Sequence, residues 1–278
     1  MSAEPFPGEA VLVVGVGLIG GSIALGLRNA GAREIWGADL PRGLAAIDEP
    51  QLFSRLIEAD QSSLKDASAR AGLVVLATPL PVIEQQLAWL SEAVCVTDCG
   101  SAKRDVCERA EQLGLTRFCG GHPMAGKERG GFEHASAQLF RGRSWFICPT
   151  ETTDVSSVER VRELALVLGA QPVVVAPDAH DHGVALTSHA NQLVASAMVK
   201  LAGRDRRRFA GPGFADATRV GGGPEGMWSG ILTRNSVEVA AALEELESEL
   251  RTVRESLARG DVSAALELLA EARRLKRW

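Results

Sequence analysis

The chain has 278 residues, 46% of them hydrophobic and 23% charged, with a formal net charge of −5. That length suffices for one large domain or two modest ones, burying roughly 70–75% of the unfolded surface. The acidic balance argues against general nucleic-acid affinity, which needs basic surface to neutralise phosphates.

Residues 1–9 are polar and lack the basic-then-apolar order of a secretory leader, and no apolar run reaches the roughly 20 residues of a membrane span. The five cysteines, Cys95, Cys99, Cys107, Cys119 and Cys148, form no C-x-x-C pair. Four lie in or beside apolar runs, which predicts buried free thiols in a reducing cytoplasm. No metal site and no membrane or nucleic-acid partner is expected.

In chain order, residues 10–14 form a short apolar run, followed by Gly15-Val16-Gly17-Leu18-Ile19-Gly20-Gly21-Ser22 and a helical stretch to about Ala30. A second strand signal at 34–38 ends in Asp39, and 73–77 and 93–97 read as two more buried strands. Helical patterns at 82–90 and 103–113 alternate with them, and Phe118 and 145–148 suggest further strands. Strand-helix alternation over this length predicts a parallel sheet with helices on both faces. After about Ala176 the pattern turns helical: 178–201 reads as one long helix, and Leu243, Leu246, Leu250, Val253 and Leu257 form an apolar stripe along roughly 22 Å of another. Gly260-Asp261 breaks that pattern before a last helix to about Lys276. The expected architecture is therefore an α/β Rossmann domain over 1–176 and an all-α domain over 177–278. The arginine-rich run 204–208 reads as a solvated turn.

Gly15-x-Gly17-x-x-Gly20 follows a predicted strand, opens a predicted helix, and has Asp39 nineteen residues after Gly20. That context predicts a dinucleotide site. Gly15 permits the tight turn, Gly17 lets the backbone reach a pyrophosphate, and Gly20 lets helix and strand pack closely. The helix N-terminus at Leu18 and Ile19 offers N–H groups to the phosphates, and Thr78, just after the strand signal at 73–77, is counted with the cofactor-binding residues. Asp39 suits a ribose 2′-hydroxyl and repels a 2′-phosphate, so NAD is preferred over NADP; Arg42 is the residue that could soften this preference.

Residues 98–103, Asp-Cys-Gly-Ser-Ala-Lys, follow a strand, so Ser101 is delivered to the ligand edge of the sheet; a helix N-cap is the competing reading. Gly120-Gly121-His122-Pro123 is poor material for a helix or central strand, because proline fixes its own backbone and biases the residue before it. It reads as a shaped loop presenting one imidazole, with a core histidine as the alternative. Farther on, Ser188-His189-Ala190-Asn191-Gln192 sets polar groups in an apolar helical pattern, where they must find partners or face a cavity. The run Gly213-Phe214-Ala215-Asp216-Ala217-Thr218-Arg219 follows, then Met227-Trp228 and Asn235. Arg219 suits bidentate grip of a carboxylate.

With these blocks in this order over residues 10–235, the chain resembles the prephenate/arogenate (cyclohexadienyl) dehydrogenase family of tyrosine biosynthesis. The blocks are the Gly15 fingerprint with Gly21-Ser22, residues 98–103, Gly121 to Glu128 with Gly130 and Leu139-Phe140, and Gly213 to Arg219 with Met227-Trp228. The resemblance implies a Rossmann domain followed by a helical domain that makes a homodimer, and NAD-dependent oxidative decarboxylation of a cyclohexadienyl carboxylate. It implies that His122 takes the proton of the 4-hydroxyl, Ser101 orients that hydroxyl, and Arg219 binds a substrate carboxylate. It further implies that His189 and Gln192 contact the substrate, Glu128 gates the entrance, and Trp228 reaches the partner subunit's site.

Two positions depart from the family pattern. Gln192 stands where a second histidine is common, and its neutrality leans toward prephenate over arogenate. Lys127, counted by the resemblance among the substrate-binding residues, stands where a small hydroxyl residue is common, beside Glu128, with which it could pair. Two other readings compete. A two-domain hydroxy-acid dehydrogenase would need a catalytic lysine in the helical domain, where Lys200 is the only candidate before the C-terminal tail. A non-catalytic dinucleotide sensor would not need His122, Ser101 and Arg219 together.

Overall fold

Successive strand residues point to opposite faces, so a strand covered on both faces must be apolar at every position. The runs Val11–Val14 and Leu73–Leu76 meet that requirement and are buried throughout. The computed structural model of the chain describes residues 5–127 and 129–276.

The first of two compact units comprises the residues up to Gly183 together with Gly222–Arg234. Its strands are β1 (Val11–Val14), β2 (Ile35–Asp39), β3 (Arg55–Glu58), β4 (Leu73–Leu76), β5 (Val96–Asp98), β6 (Phe118–Pro123), β7 (Ser144–Cys148) and β8 (Gln171–Val174). They form one eight-stranded sheet in the order β3-β2-β1-β4-β5-β6-β7-β8. Every pairing is parallel except that of β6 with β7. Chain order reverses between β1 and β4, which makes the carboxyl ends of those strands the switch point where open α/β sheets bind ligands.

Helices cover both faces. Val11, Val13, Leu73 and Val75 join one core cluster with Ile23, Ala24 and Leu27 of α1 (Leu18–Asn29). Leu12, Val14, Val74 and Leu76 join another, whose members include residues of three further helices. After the short α2 (Pro41–Leu44), these are α3 (Gln61–Ser68), α4 (Leu80–Leu87) and α5 (Arg104–Gln112). The alternation of neighbours between two clusters is the period-2 pattern made physical. Helix α6 (Val155–Val167) adds Val161 and Leu164 to the first cluster.

Helix α7 (Pro177–Val184) ends the main part of this unit. The second unit opens on a six-residue π-helical segment, Ala185–Ala190, that leads directly into α8 (Asn191–Arg207). The expected single helix over 178–201 is thus widened in its middle, and Gly203, at φ 54°, kinks α8. The arginines at 204, 206, 207 and 208 are exposed, in a last helical turn of α8 and at its cap. Helix α9 (Pro212–Thr218) packs on α8; α10 (Glu225–Arg234) belongs to the first unit, where Ile231 enters the core. Helices α11 (Ser236–Ala258) and α12 (Ser263–Leu275) pack on one another in the second unit. The fold is thus α/β in its N-terminal part and all-α in its C-terminal part. Among the described residues the cysteines are free, with Cys95, Cys107, Cys119 and Cys148 buried and Cys99 half-buried. No helix among them is long and apolar enough to cross a membrane.

Candidate active site

The glycine loop follows β1 at the switch point. Gly15 has φ +89°, and a Cβ there would sit 2.8 Å from the Ala77 backbone. A Cβ on Gly20 would come within 2.0 Å of the Gly15 carbonyl oxygen, so only glycine lets α1 approach the loop this closely. A Cβ on Gly17 would meet nothing within 4 Å, which leaves the space above it open. An α-helix cannot satisfy the N–H groups of its own first turn, here Leu18, Ile19 and Gly20, and it presents a positive dipole end there. Gly17 is the N-cap and no side chain caps the helix. This cradle fits a dinucleotide pyrophosphate.

Asp39 ends β2 and holds the loop from the side. Its Oδ2 accepts the Val16 N–H at 2.7 Å and its Oδ1 accepts the Leu40 N–H at 2.7 Å. A Cβ on Gly43 would fall 2.4 Å from Asp39 Oδ1, so the glycine leaves room for the carboxylate. Arg42 is exposed on α2. Thr78 follows β4, and its hydroxyl donates to Gln86 Oε1 at 2.8 Å.

The same sheet edge carries the reactive candidates. Ser101 lies three residues beyond the end of β5, half-buried. It is not an N-cap: α5 begins at Arg104 with Lys103 in the cap position. On either side of Ser101 in sequence stand the partners of a buried ion pair. Lys103 Nζ contacts Asp98 Oδ2 and donates to the Gly121 carbonyl at 3.0 Å, while Asp98 accepts the N–H groups of Gly100 at 2.8 Å and Gly121 at 3.0 Å. Burial pushes the Lys103 ammonium down, but the opposing effects, foremost the charge of the Asp98 carboxylate, leave it above its usual value.

His122 corrects the loop expectation, because it belongs to β6, paired across the antiparallel ladder with Phe146. Two features admit the sequence to a strand. Pro123 is the last paired residue, and the next N–H, that of Met124, donates to the Ser144 carbonyl at 2.8 Å. Gly121 allows close approach, since a Cβ would fall 2.5 Å from the Asp98 carbonyl oxygen. What the glycine approaches is thus the chain's own neighbouring strand.

His122 is only 7% exposed, and its Nδ1 lies 2.8 Å from Nε2 of His180 on α7. His180 Nδ1 in turn lies 2.7 Å from Asp181 Oδ1. Asp181 accepts the backbone N–H of Lys103 at 2.7 Å and of Arg104 at 2.9 Å, at the start of α5. Phe146 stands edge-on to His180, with ring centroids 5.1 Å apart. Burial pushes the His180 imidazole below its usual value. Asp181 also lies below the carboxylate range: burial pushes it up, but the hydrogen bonds from His180 and the two amides outweigh that. The sequence reading missed His180 and Asp181. Their signal was an adjacent His-Asp pair at the start of the helix that follows the last strand.

Lys127 is exposed, and its ammonium donates to the His134 carbonyl at 2.6 Å. Glu128 lies outside the described residues. Trp228, on α10, is half-buried against the first unit's core.

The second unit holds the other candidates. His189 is fully buried on the π-helical segment, and Asn235 Nδ2 donates to its Nδ1 at 3.0 Å. A neutral His189 therefore carries its proton on Nε2. Such wide turns inside helices are frequent at functional sites. Gln192 is buried one turn farther on, in α8, and Arg219 is exposed just after α9. The structure thus gathers Gly15, Gly17, Gly20, Asp39, Thr78, Ser101 and His122 along one sheet edge, and His189 and Gln192 along one helical run.

Comparison with known proteins gives this arrangement a family. Residues 23–174 match the model of the prephenate dehydrogenase nucleotide-binding domain, and residues 176–271 match the model of the prephenate dehydrogenase dimerization domain. Prephenate dehydrogenase of Bacillus subtilis is 31% identical over 263 residues, covering 88% of this chain and 69% of that protein. The crystal structure of Aquifex aeolicus prephenate dehydrogenase with hydroxyphenyl propionate and NAD+ superposes with a TM-score of 0.85 at 29% identity, covering 99% of this chain and 97% of that one. Synechocystis arogenate dehydrogenase gives a TM-score of 0.78 at 29% identity, over 95% of this chain and 97% of that one. With both domain models matched in order and the dinucleotide cradle intact, the chain belongs to the prephenate dehydrogenase family.

Proposed function

We propose that the chain catalyses the NAD-dependent oxidative decarboxylation of prephenate to 4-hydroxyphenylpyruvate, in tyrosine biosynthesis and in the cytoplasm. The observation that carries this reading is the sheet edge itself. The dinucleotide loop, Ser101 and His122 follow or end β1, β5 and β6 on the carboxyl side, in a chain of this family.

When bound, NAD supplies the hydride acceptor for the ring carbon that bears the 4-hydroxyl. Loss of the ring carboxylate as carbon dioxide leaves an aromatic ring, so the protein's work is orientation and the handling of one proton. His122 takes the hydroxyl proton as general base, and Ser101 orients the same hydroxyl. Arg219 pairs with a substrate carboxylate, and His189 offers its Nε2–H as a donor. Asp39 accepts from the adenosine ribose and disfavours a 2′-phosphate, which supports NAD over NADP.

Gln192 is neutral where the ammonium of arogenate would favour an acid, which supports prephenate. The likeness to Synechocystis arogenate dehydrogenase keeps arogenate as the second substrate to be tried. Lys127, held to the His134 carbonyl, shapes its loop in this reading; roles for Glu128 and Trp228 rest on the family pattern alone. The functional boundary is proposed near residue 176, where the two domain models meet. A homodimer formed through the second model's region is supported by that model's description as a dimerization domain.

The test is formation of reduced nicotinamide, followed by absorbance, with prephenate or arogenate supplied with NAD or NADP in all four pairings. Turnover of prephenate with NAD is expected to exceed the other three. Folded protein silent in every pairing would overturn the reading.

A further inference from the structure

The proton acceptor proposed above is a single nitrogen of His122, and an uncharged imidazole has a lone pair on only one of its two nitrogens. Which one is set by the partner of the other. His122 turns Nδ1 toward His180 Nε2 at 2.8 Å, and His180 turns its own Nδ1 toward Asp181 Oδ1 at 2.7 Å. Both His180 and Asp181 are at most 1% exposed.

With both imidazoles uncharged, the chain of three has one internally consistent protonation. Asp181 sits against two backbone donors, the N–H groups of Lys103 and Arg104, at the positive end of the nine-residue helix α5. It is held there as a carboxylate, which only accepts. His180 must then carry its proton on Nδ1 and, uncharged, accepts at Nε2. His122 must donate from Nδ1, and its lone pair falls on Nε2.

We propose that Asp181 and His180 are positioning residues that fix the tautomer of His122, so that Nε2 is the nitrogen that receives the substrate's hydroxyl proton. The proposal rests on the reading of His122 as the base. Asp181 does not itself take the proton. The two backbone N–H groups that donate to it and its place at the helix N-terminus stabilise the charged carboxylate, so the positive charge formed on His122 stays on the imidazole pair and is balanced across His180. Phe146 packs on both rings, with centroids 6.4 Å from His122 and 5.1 Å from His180, and limits their rotation. The arrangement repeats on a different fold the logic by which a buried carboxylate holds a catalytic imidazole in one tautomer.

Charged groups face the pair from three elements. Asp181 lies on α7 beside His180, and Lys103 leads into α5. Asp98, at the end of β5, neutralises Lys103. Lys103 acts on His180 to keep it uncharged, whereas Asp181 and Asp98 act in the other direction.

The test reads the tautomers directly. The chain has five histidines, few enough to assign by nitrogen NMR on the unaltered, 15N-histidine-labelled protein above neutral pH. His122 and His180 are both expected in the Nδ1–H form, which is the less common one in solution. A neutral His122 with its proton on Nε2 overturns the proposal. The second arm is Asp181→Asn, which sets an amide where two N–H groups and an imidazole N–H require a carboxylate. Its expected effect is a fall in kcat of at least about 100-fold, within the range for losing a general base, with the KM for substrate changed less than about threefold. Folded Asp181→Asn protein with undiminished kcat overturns the proposal as well. If that variant fails to fold, the NMR result on the unaltered chain still decides. His122→Asn with full turnover would remove the base itself, a failure distinct from that of the tautomer assignment.

Discussion

Asp98 and Lys103 form an ion pair with no exposed side-chain surface on either partner. The pair ties three pieces of the candidate site together, because Asp98 also accepts from Gly100 and Gly121, and Lys103 also donates to Gly121. Ser101 lies between Gly100 and Lys103, and His122 follows Gly121. Removing one partner of a buried pair strands the other charge, at a cost of about 3–5 kcal/mol. Lys103→Met, which keeps the side chain's length, is therefore expected to lower unfolding stability by about that amount in a urea titration. A loss below about 1 kcal/mol would mean that water or a neighbouring donor already compensates Asp98.

The fingerprint glycines separate a demand of the fold from a demand of the ligand. Gly20→Ala places a Cβ 2.0 Å from the Gly15 carbonyl oxygen, so α1 must shift, and both melting temperature and NAD affinity are expected to fall. Gly17→Ala meets nothing within 4 Å, and its φ of −90° lies outside the left-handed region. Its apo stability should stay within about 0.5 kcal/mol of the parent, as for a surface substitution, while its Kd for NAD rises at least about tenfold. Calorimetric titration with NAD, beside a thermal melt of each variant, checks both halves. Unchanged NAD affinity in Gly17→Ala would show that the pyrophosphate does not approach that residue.

Much of this was legible in the sequence because local rules and tertiary demands agree there. The apolar runs at 11–14 and 73–76 are short and rich in β-branched valine, which suits strands covered on two faces, and the glycine spacing with Asp39 marks the first β-α-β turn. The His122 segment was misread because proline and glycine propensities are local, while the reasons it pairs are not. Gly121 is needed against Asp98 on the adjacent strand, and Pro123 falls at the last rung. His180 and Asp181 went unnoticed for a related cause. Their partners lie 58 and 78 residues away, at His122 and at the Lys103 amide, and no periodicity spans such gaps. The wide turn at Ala185–Ala190 left no mark either, since its apolar and polar residues also fit an ordinary helix.

Asp39 carries two tasks that a substitution would separate. It braces the glycine loop through Val16 and it faces the adenosine ribose in the proposed complex. A hydrogen bond to a charged group contributes about 1.5–3 kcal/mol, so Asp39→Ala is expected to raise the KM for NAD by about 10- to 100-fold. It should also narrow the gap between NAD and NADP, because the like-charge repulsion of a 2′-phosphate is gone and Arg42 remains nearby in sequence. Initial rates with both cofactors measure this. An NAD to NADP ratio of kcat/KM that stays where it was would remove Asp39 from cofactor selection.

The buried His180 makes stability depend on pH in a defined direction. Burial, above all, holds its imidazole below the ordinary 6.5, so on acidification the unfolded chain takes up a proton that the folded chain refuses. Stability from this group is complete above about pH 6.5 and is lost as pH falls from there toward the lower folded value. Asp181, lowered from 3.8, adds a second loss only in more acid solution, as pH falls through its folded value. Melting temperature is therefore expected to decline on acidification through the first window, and His180→Gln should flatten that slope. A slope unchanged in folded His180→Gln protein would assign it to other groups.

The surface of the second unit bears on assembly. Leu201 is 72% exposed and Phe209 76%, beside Met198, Ala202, Ala210 and Phe214, around a shallow apolar hollow on α8 and α9. Leaving such side chains in water forgoes about 1.5–3 kcal/mol each, and contiguous apolar patches of this kind mark contact surfaces. The match of residues 176–271 to a dimerization domain makes a second copy of the chain the expected cover. Sedimentation should then give about twice the 29.4 kDa chain mass. The double variant Leu201→Glu with Phe209→Glu is expected to sediment as a monomer and to keep the far-ultraviolet spectrum of the parent. A parent chain that is monomeric at micromolar concentration would contradict the homodimer. A double variant that remains dimeric would move the interface to another face of the second unit, such as the one carrying exposed Leu266 and Leu269 on α12.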